Sequence, residues 1–238
     1  MGKVLKWLAI LIACIGCIFF LGEKWGQHMA VRSFVYLDQL YPTKNLEDLF
    51  EAFPKGFSIL HIKTYYENKT TMQVSVYIIG DPQTRLITGD VELEADVNGK
   101  RQSLEKFDIT YQGGTSFNIP TDKKSSPYLK NFQLLLAGFS YRNADLTSKK
   151  LVRVYDNPSY GRYYKEYLLN ELGPIEGQDE LDLEKYQYSI EFGRELAPFN
   201  LRFRSDIGID MPTPWPQSKT LVSVREVISG DEFKATEK

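Results

Sequence analysis

The rhythm of apolar and polar residues changes twice along this chain, and each change predicts a different element. Residues 7–22 form a sixteen-residue run without charge, preceded by Lys3 and Lys6 and followed by Glu23 and Lys24. At 1.5 Å per residue the run spans about 24 Å, and Val4, Leu5 and a snorkelling Lys6 extend it toward a ~30 Å hydrocarbon core. The positive charge in front, against a cancelling pair behind, predicts the N-terminus inside and the rest of the chain outside. Residues 1–22 therefore read as a transmembrane signal-anchor. Within it, Leu11-Ile12-Ala13-Cys14 resembles a bacterial lipobox and makes Cys14 the candidate lipidation position. The residues after Cys14 stay apolar, which argues against that outcome and for retention as a span.

Residues 23–55 read as a helical stalk followed by a short amphipathic helix. Residues 25–40 continue the first helix until Pro42. Asn45 is then a candidate N-cap with Asp48 three residues on, and Leu46, Leu49, Phe50 and Phe53 recur at helical spacing before Pro54. That apolar face suits the core of the protein's own domain better than a partner's groove.

From residue 56 the period shortens to two. Met72, Val74, Val76 and Ile78 alternate with polar neighbours, as do Val91, Leu93, Ala95 and Val97. Asn98-Gly99 is a hairpin signal leading into a return strand through Leu104, Phe107, Ile109 and Tyr111. Further strands are expected over 57–66, 131–140, 151–155, 186–192, 199–204 and 220–228. One helix is expected over 160–172, ended by Gly173-Pro174, and a frayed tail from Gly230. The expectation for 56–238 is an antiparallel β-sandwich-like domain, or a strongly curved sheet, with one or two helices.

Composition narrows the chemistry. With 29 Lys and Arg against 31 Asp and Glu, a net charge of −2 leaves no basic excess for nucleic acid. The two cysteines, Cys14 and Cys17, lie inside the first segment, so residues 23–238 fold without disulfides. Two histidines and no exported cysteine cannot build a zinc site of the usual kind. No nucleotide motif is present, and no cofactor is expected.

Local motifs are weak. Ser103-Leu104-Glu105-Lys106 matches a bare S-x-x-K, but an alternating strand should turn Ser103 and Lys106 to opposite faces, and the companion elements are missing. His61 has no G-x-S-x-G elbow to serve and reads as a strand residue. The acidic stretch Glu176, Asp179, Glu180, Asp182 and Glu184 lacks a calcium-loop pattern and reads as a solvated face. A pair of acids suited to glycan cleavage leaves no linear trace, because the fold creates its spacing.

Two aromatic features stand out. Tyr160, Tyr163, Tyr164 and Tyr167 fall at i, i+3, i+4 and i+7, which on a helix would form one stripe for a protein partner. Trp215 lies in Met211-Pro212-Thr213-Pro214-Trp215-Pro216, whose alternate prolines exclude helix. These features lead to one expectation: a single-pass protein of the cell membrane whose extracytoplasmic domain binds another protein. It would act as an accessory subunit of an envelope complex or as a toxin-neutralising protein. The alternative is an anchored module that binds or hydrolyses glycan with paired carboxylates.

Overall fold

The structure, a computed structural model, describes residues 36–97, 99–130, 132–157, 162–196, 202–216 and 218–234. Among them ten strands form one antiparallel sheet. In chain order these are β1 (Phe57–Glu67), β2 (Thr70–Gly80), β3 (Ile87–Val97), β4 (Lys100–Gly113) and β5 (Ser116–Asn118). They are followed by β6 (Leu151–Asn157), β7 (Arg162–Leu168), β8 (Ser189–Leu196), β9 (Arg202–Asp210) and β10 (Thr220–Asp231). Their order across the sheet is β5-β4-β3-β2-β1-β10-β9-β8-β7-β6. Two five-strand meanders are thus joined side by side where β1 meets β10. The protein is mainly β, as the period-two pattern predicts.

Short hairpins make the meanders. Asn68 and Lys69 both adopt positive φ (51° and 67°), the pair of left-handed residues that a two-residue type I′ turn requires. Gly99 (φ 76°) opens the turn into β4. The alternation expected in β2 and β3 appears directly as burial: Val74, Val76, Ile78, Val91 and Leu93 all point into the core, as does Ile59 of β1.

One face of the sheet is covered by short helical turns and loops. Leu46, Leu49, Phe50 and Phe53 are buried on the turns Leu46–Asp48 and Leu49–Ala52, with Asn45 Oδ1 accepting from the Glu47 backbone N–H. The amphipathic segment therefore packs on its own core. Phe53 tilts against Phe203 of β9, and Phe139 meets Phe192 of β8 edge-on. Gly138 is held so close that an added Cβ would lie 2.0 Å from the Glu176 carbonyl oxygen.

Two buried polar groups tie this layer to the sheet. Glu226 on β10 lies directly across from His61 on β1, with His61 Nδ1 2.9 Å from Glu226 Oε2. The same carboxylate accepts the Leu135 and Leu136 backbone N–H groups at 2.8 and 2.7 Å, capping the turn Leu135–Gly138. Helix starts leave such donors unsatisfied, and a carboxylate answers two at once. Two residues along β1, Lys63 donates to Glu180 Oε2 at 2.8 Å, and the Tyr65 hydroxyl donates to the same oxygen at 2.8 Å. Burial first, and then Glu180, push the Tyr65 phenol well above its ordinary value.

The structure corrects several sequence expectations. The helix expected over 160–172 is instead β7 followed by the single turn Leu169–Leu172; a Tyr-rich run satisfies strand preference as well as helical spacing. The strand expected over 131–140 is the capped turn Leu135–Gly138, whose amides go to Glu226 rather than to a ladder. The tail is not frayed at Gly230: β10 runs to Asp231, and Phe233 stacks on Phe203 at 4.3 Å. Among the described residues no helix is long and apolar enough to cross a membrane. The expected span over 1–22, the stalk up to residue 35 and Cys14 lie outside the described residues.

Candidate binding face

Strand parity assigns every side chain to the covered face or to the opposite, open face, across which no described element is found to pack. One open-face row runs Lys106, Glu92, Ser75, Ile62 and Arg225, strand by strand from β4 to β10. It continues through Gly208, Glu191 and Glu166 to Arg153 on β6. The neighbouring row reads Tyr77, Leu60, Val227, Asp206, Gly193 and Tyr164.

The centre of this face is apolar. Leu60 and Ile62 on β1 are half-buried, Val227 is buried beside them, and Tyr77 (38 % exposed) and Ile79 (43 % exposed) stand out from β2. Antiparallel sheets usually turn polar residues to an uncovered face. A central apolar patch ringed by charge is instead the anatomy of a protein contact. On one side the ring is β3, whose Asp90, Glu92, Glu94 and Asp96 share the open-face parity, with Lys106 3.5 Å from Asp90 and Arg101 3.7 Å from Glu94.

On the other side the ring is a depression of about 280 Å³ lined by Arg153, Tyr164, Glu166, Glu191 and Arg225. Glycines make the room. At Gly208, which carries no side chain into the row, an added Cβ would meet only Asp210 Oδ2 at 3.6 Å. At Gly193 the Tyr164 ring lies over the backbone, 2.4 Å from where a Cβ would sit. Arg225 is clamped by Asp206 through two parallel bonds, Nε to Oδ1 and Nη2 to Oδ2, both 2.8 Å. This fork fixes the guanidinium and raises its pKa. Glu191 lies 3.9 Å from Arg225 Nη2 and directly across from Glu166. Burial raises the Glu191 carboxyl above the usual range; Arg225 draws it back, while Asp206, Glu166 and Asp210 push it further up. Like charges directly opposite on a sheet destabilise it, and Cβ atoms at such positions are about 4.5–5.5 Å apart.

The tyrosines read as one stripe are divided by the strand. Tyr164 reaches the open face; Tyr163 and Tyr167 turn to the covered face, opposite Arg194 and Ile190, and Tyr167 is buried. Tyr160 lies outside the described residues. Trp215 is half-buried, 5.2 Å from the Tyr66 ring, and its indole N–H donates to the Met211 carbonyl, so it braces the end of β1.

Three other sequence candidates are relocated. A bulge between Leu93 and Glu94 inserts Leu104 as an extra β4 residue, so Ser103 and Lys106 both face β3's open-side residues rather than opposite faces. The acidic stretch is a loop, not a regular face, and Glu180 turns inward to Lys63 and Tyr65. His61 is a core residue, 1 % exposed. Among the described residues no group of three or more His, Cys, Asp or Glu side chains is arranged to hold a metal.

Sequence reasoning missed Arg225, Asp206, Glu166 and Glu191, which come from four strands. It had one usable signal for the patch: Ile59, Leu60 and Ile62 put apolar residues on both parities of β1, more than a one-faced strand needs. The chain matches no protein-family model, and a search of curated proteins finds no relative.

Proposed function

We propose that this protein is held in the cell membrane by residues 1–22 and carries its β domain outside the cytoplasm, where the open face of the sheet binds another protein. The domain is read as sandwich-like, with turns and short helices as the layer opposite the sheet. The observation that supports binding is the apolar patch around Leu60, Tyr77 and Ile79, framed by charged residues on a face that no described element is found to cover. Such a surface suits an accessory subunit of an envelope complex or a toxin-neutralising protein better than a spacer, which needs no apolar centre.

The test is crosslinking in native membranes followed by affinity capture of full-length protein. Tyr77→Ser with Ile79→Asp should abolish partner recovery while leaving the fold intact by circular dichroism. Unchanged recovery would overturn the binding-face reading. A reporter fused at the C-terminus that is active only in the cytosol would overturn the topology.

A second reading is favoured by one observation. Glu166 and Glu191 oppose each other beside Tyr164, and Glu191 holds its proton to higher pH than an ordinary glutamate. Retaining glycosidases use two carboxyls about 5–5.5 Å apart, one with a raised pKa. Turnover of envelope glycan fragments by the wild type, lost in Glu191→Gln, would establish it.

A further inference from the structure

The depression beside the apolar patch holds two carboxylates with too little positive charge between them. Glu166 and Glu191 stand directly across from each other on β7 and β8. Arg225 Nη2 lies 3.9 Å from Glu191, but its guanidinium is already forked onto Asp206 through two bonds of 2.8 Å. Arg153 on β6 stands across from Glu166. With strands about 4.8 Å apart, its backbone is roughly 10 Å from that of Glu191. Once Arg225 is set against Asp206, a single cation, Arg153, faces two carboxylates. The raised Glu191 pKa agrees with that deficit: burial raises it first, and Asp206, Glu166 and Asp210 add to the rise against Arg225.

The cavity has the size of one long side chain. Its volume of about 280 Å³ falls below the roughly 300–1,000 Å³ of pockets that enclose whole small molecules. Gly208 leaves the row open between Arg225 and Glu191. Tyr164, laid over Gly193, gives an apolar wall for a methylene stem. The fork to Asp206 fixes Arg225 before anything binds, so little ordering is left to the binding step. The cavity also adjoins the apolar patch: Val227 stands between Leu60 and Asp206, and Arg225 stands beside Ile62.

We propose that the protein bound by the open face inserts a lysine side chain into this cavity, with its ammonium between Glu166 and Glu191. The inference rests on the protein-binding reading and names the residue that anchors the partner. Charge complementarity selects a cation, since a neutral or acidic side chain would leave the opposed carboxylates uncompensated. Geometry selects lysine over arginine. The acceptors come from two neighbouring strands, which suits the three diverging donors of an ammonium. A planar guanidinium is best met by both oxygens of one carboxylate, as Asp206 meets Arg225. The far rim has the same sign: Asp90, Glu92, Glu94 and Asp96 of β3 outnumber Lys106 and Arg101, which favours approach of a basic surface.

The experiment titrates N-acetyl-lysine N-methylamide into isotope-labelled full-length protein in detergent micelles and follows the amide resonances. Shifts should be confined to the surroundings of Glu166, Glu191, Gly193 and Gly208. The norleucine analogue, which lacks the charge, should bind at least about tenfold more weakly, and Glu166→Gln with Glu191→Gln should weaken the lysine analogue by a similar factor. No binding, equal binding of the norleucine analogue, tighter binding of the arginine analogue, or undiminished affinity in the double variant would each overturn the proposal. A second measurement uses the crosslinked partner in native membranes, which Glu166→Lys with Glu191→Lys should remove, as Tyr77→Ser with Ile79→Asp does. Loss of the partner in the Tyr77 and Ile79 variant alone would leave the binding face standing and overturn the lysine anchor. Undiminished recovery in both variants would overturn the binding face itself.

Discussion

The two faces of the sheet invert the usual placement of residues. The covered face buries His61, Lys63 and Glu226, while the open face shows Tyr77 and Ile79 to solvent. The difference lies in what each group finds. Glu226 answers two backbone amides and His61, so its desolvation is compensated inside the molecule. Nothing among the described residues compensates the apolar patch, whose burial would come from a partner. Inversions on the covered face therefore report on architecture, and those on the open face are what the proposed binding role rests on.

Breaking the covered face should have the largest effect. Glu226→Ala strands two helix-start amides and the His61 imidazole, and should cost about 3–5 kcal/mol in urea unfolding. Gly138→Ala drives a methyl group into the Glu176 carbonyl and should cost about 1–3 kcal/mol. The matching change on the open face, Gly208→Ala, meets only Asp210 at 3.6 Å and should stay within about 0.5 kcal/mol, while partly filling the depression. A large loss at Gly208 would erase the contrast. Tyr77→Ser with Ile79→Asp should likewise leave urea stability nearly unchanged and remove partner binding.

The smallest effect concerns pH. The folded Glu191 pKa is raised above 4.5, so the native state holds this proton where the unfolded chain has released it. Its stabilising contribution is complete below pH 4.5 and disappears as pH rises through the folded value. Glu191→Gln cannot ionise and should melt about 1–2 °C above the wild type at pH 7, with no advantage at pH 4. The effect is small because the side chain is 41 % exposed and screened by solvent. A lower melting temperature at pH 7 would show that the Arg225 contact outweighs burial.

Local pattern made much of the fold legible. The strands around Val74, Val91 and Ile109 and the turn at Gly99 all follow from period-two alternation and turn chemistry. The Tyr163–Tyr167 region did not, because spacings of three and four residues suit a helix while the same aromatics suit a strand, and pairing with β6 and β8 decided between them. The 131–140 segment failed for a related reason: an apolar run carries no sign of whether its amides join a ladder or meet a distant carboxylate.

By itself, the sequence determined that the region from residue 56 on would be mainly β, that residues 23–238 would fold without disulfides, and that an uncharged run would lie near the start of the chain. These are properties of composition and of neighbours a few residues apart. Only tertiary structure decided which parity is covered, that Glu226 meets His61 across 165 residues, and that Arg225, Glu191 and Glu166 share one row. Register between strands arises from contacts distant in sequence, and a single inserted residue such as Leu104 is enough to change which side chains share a face.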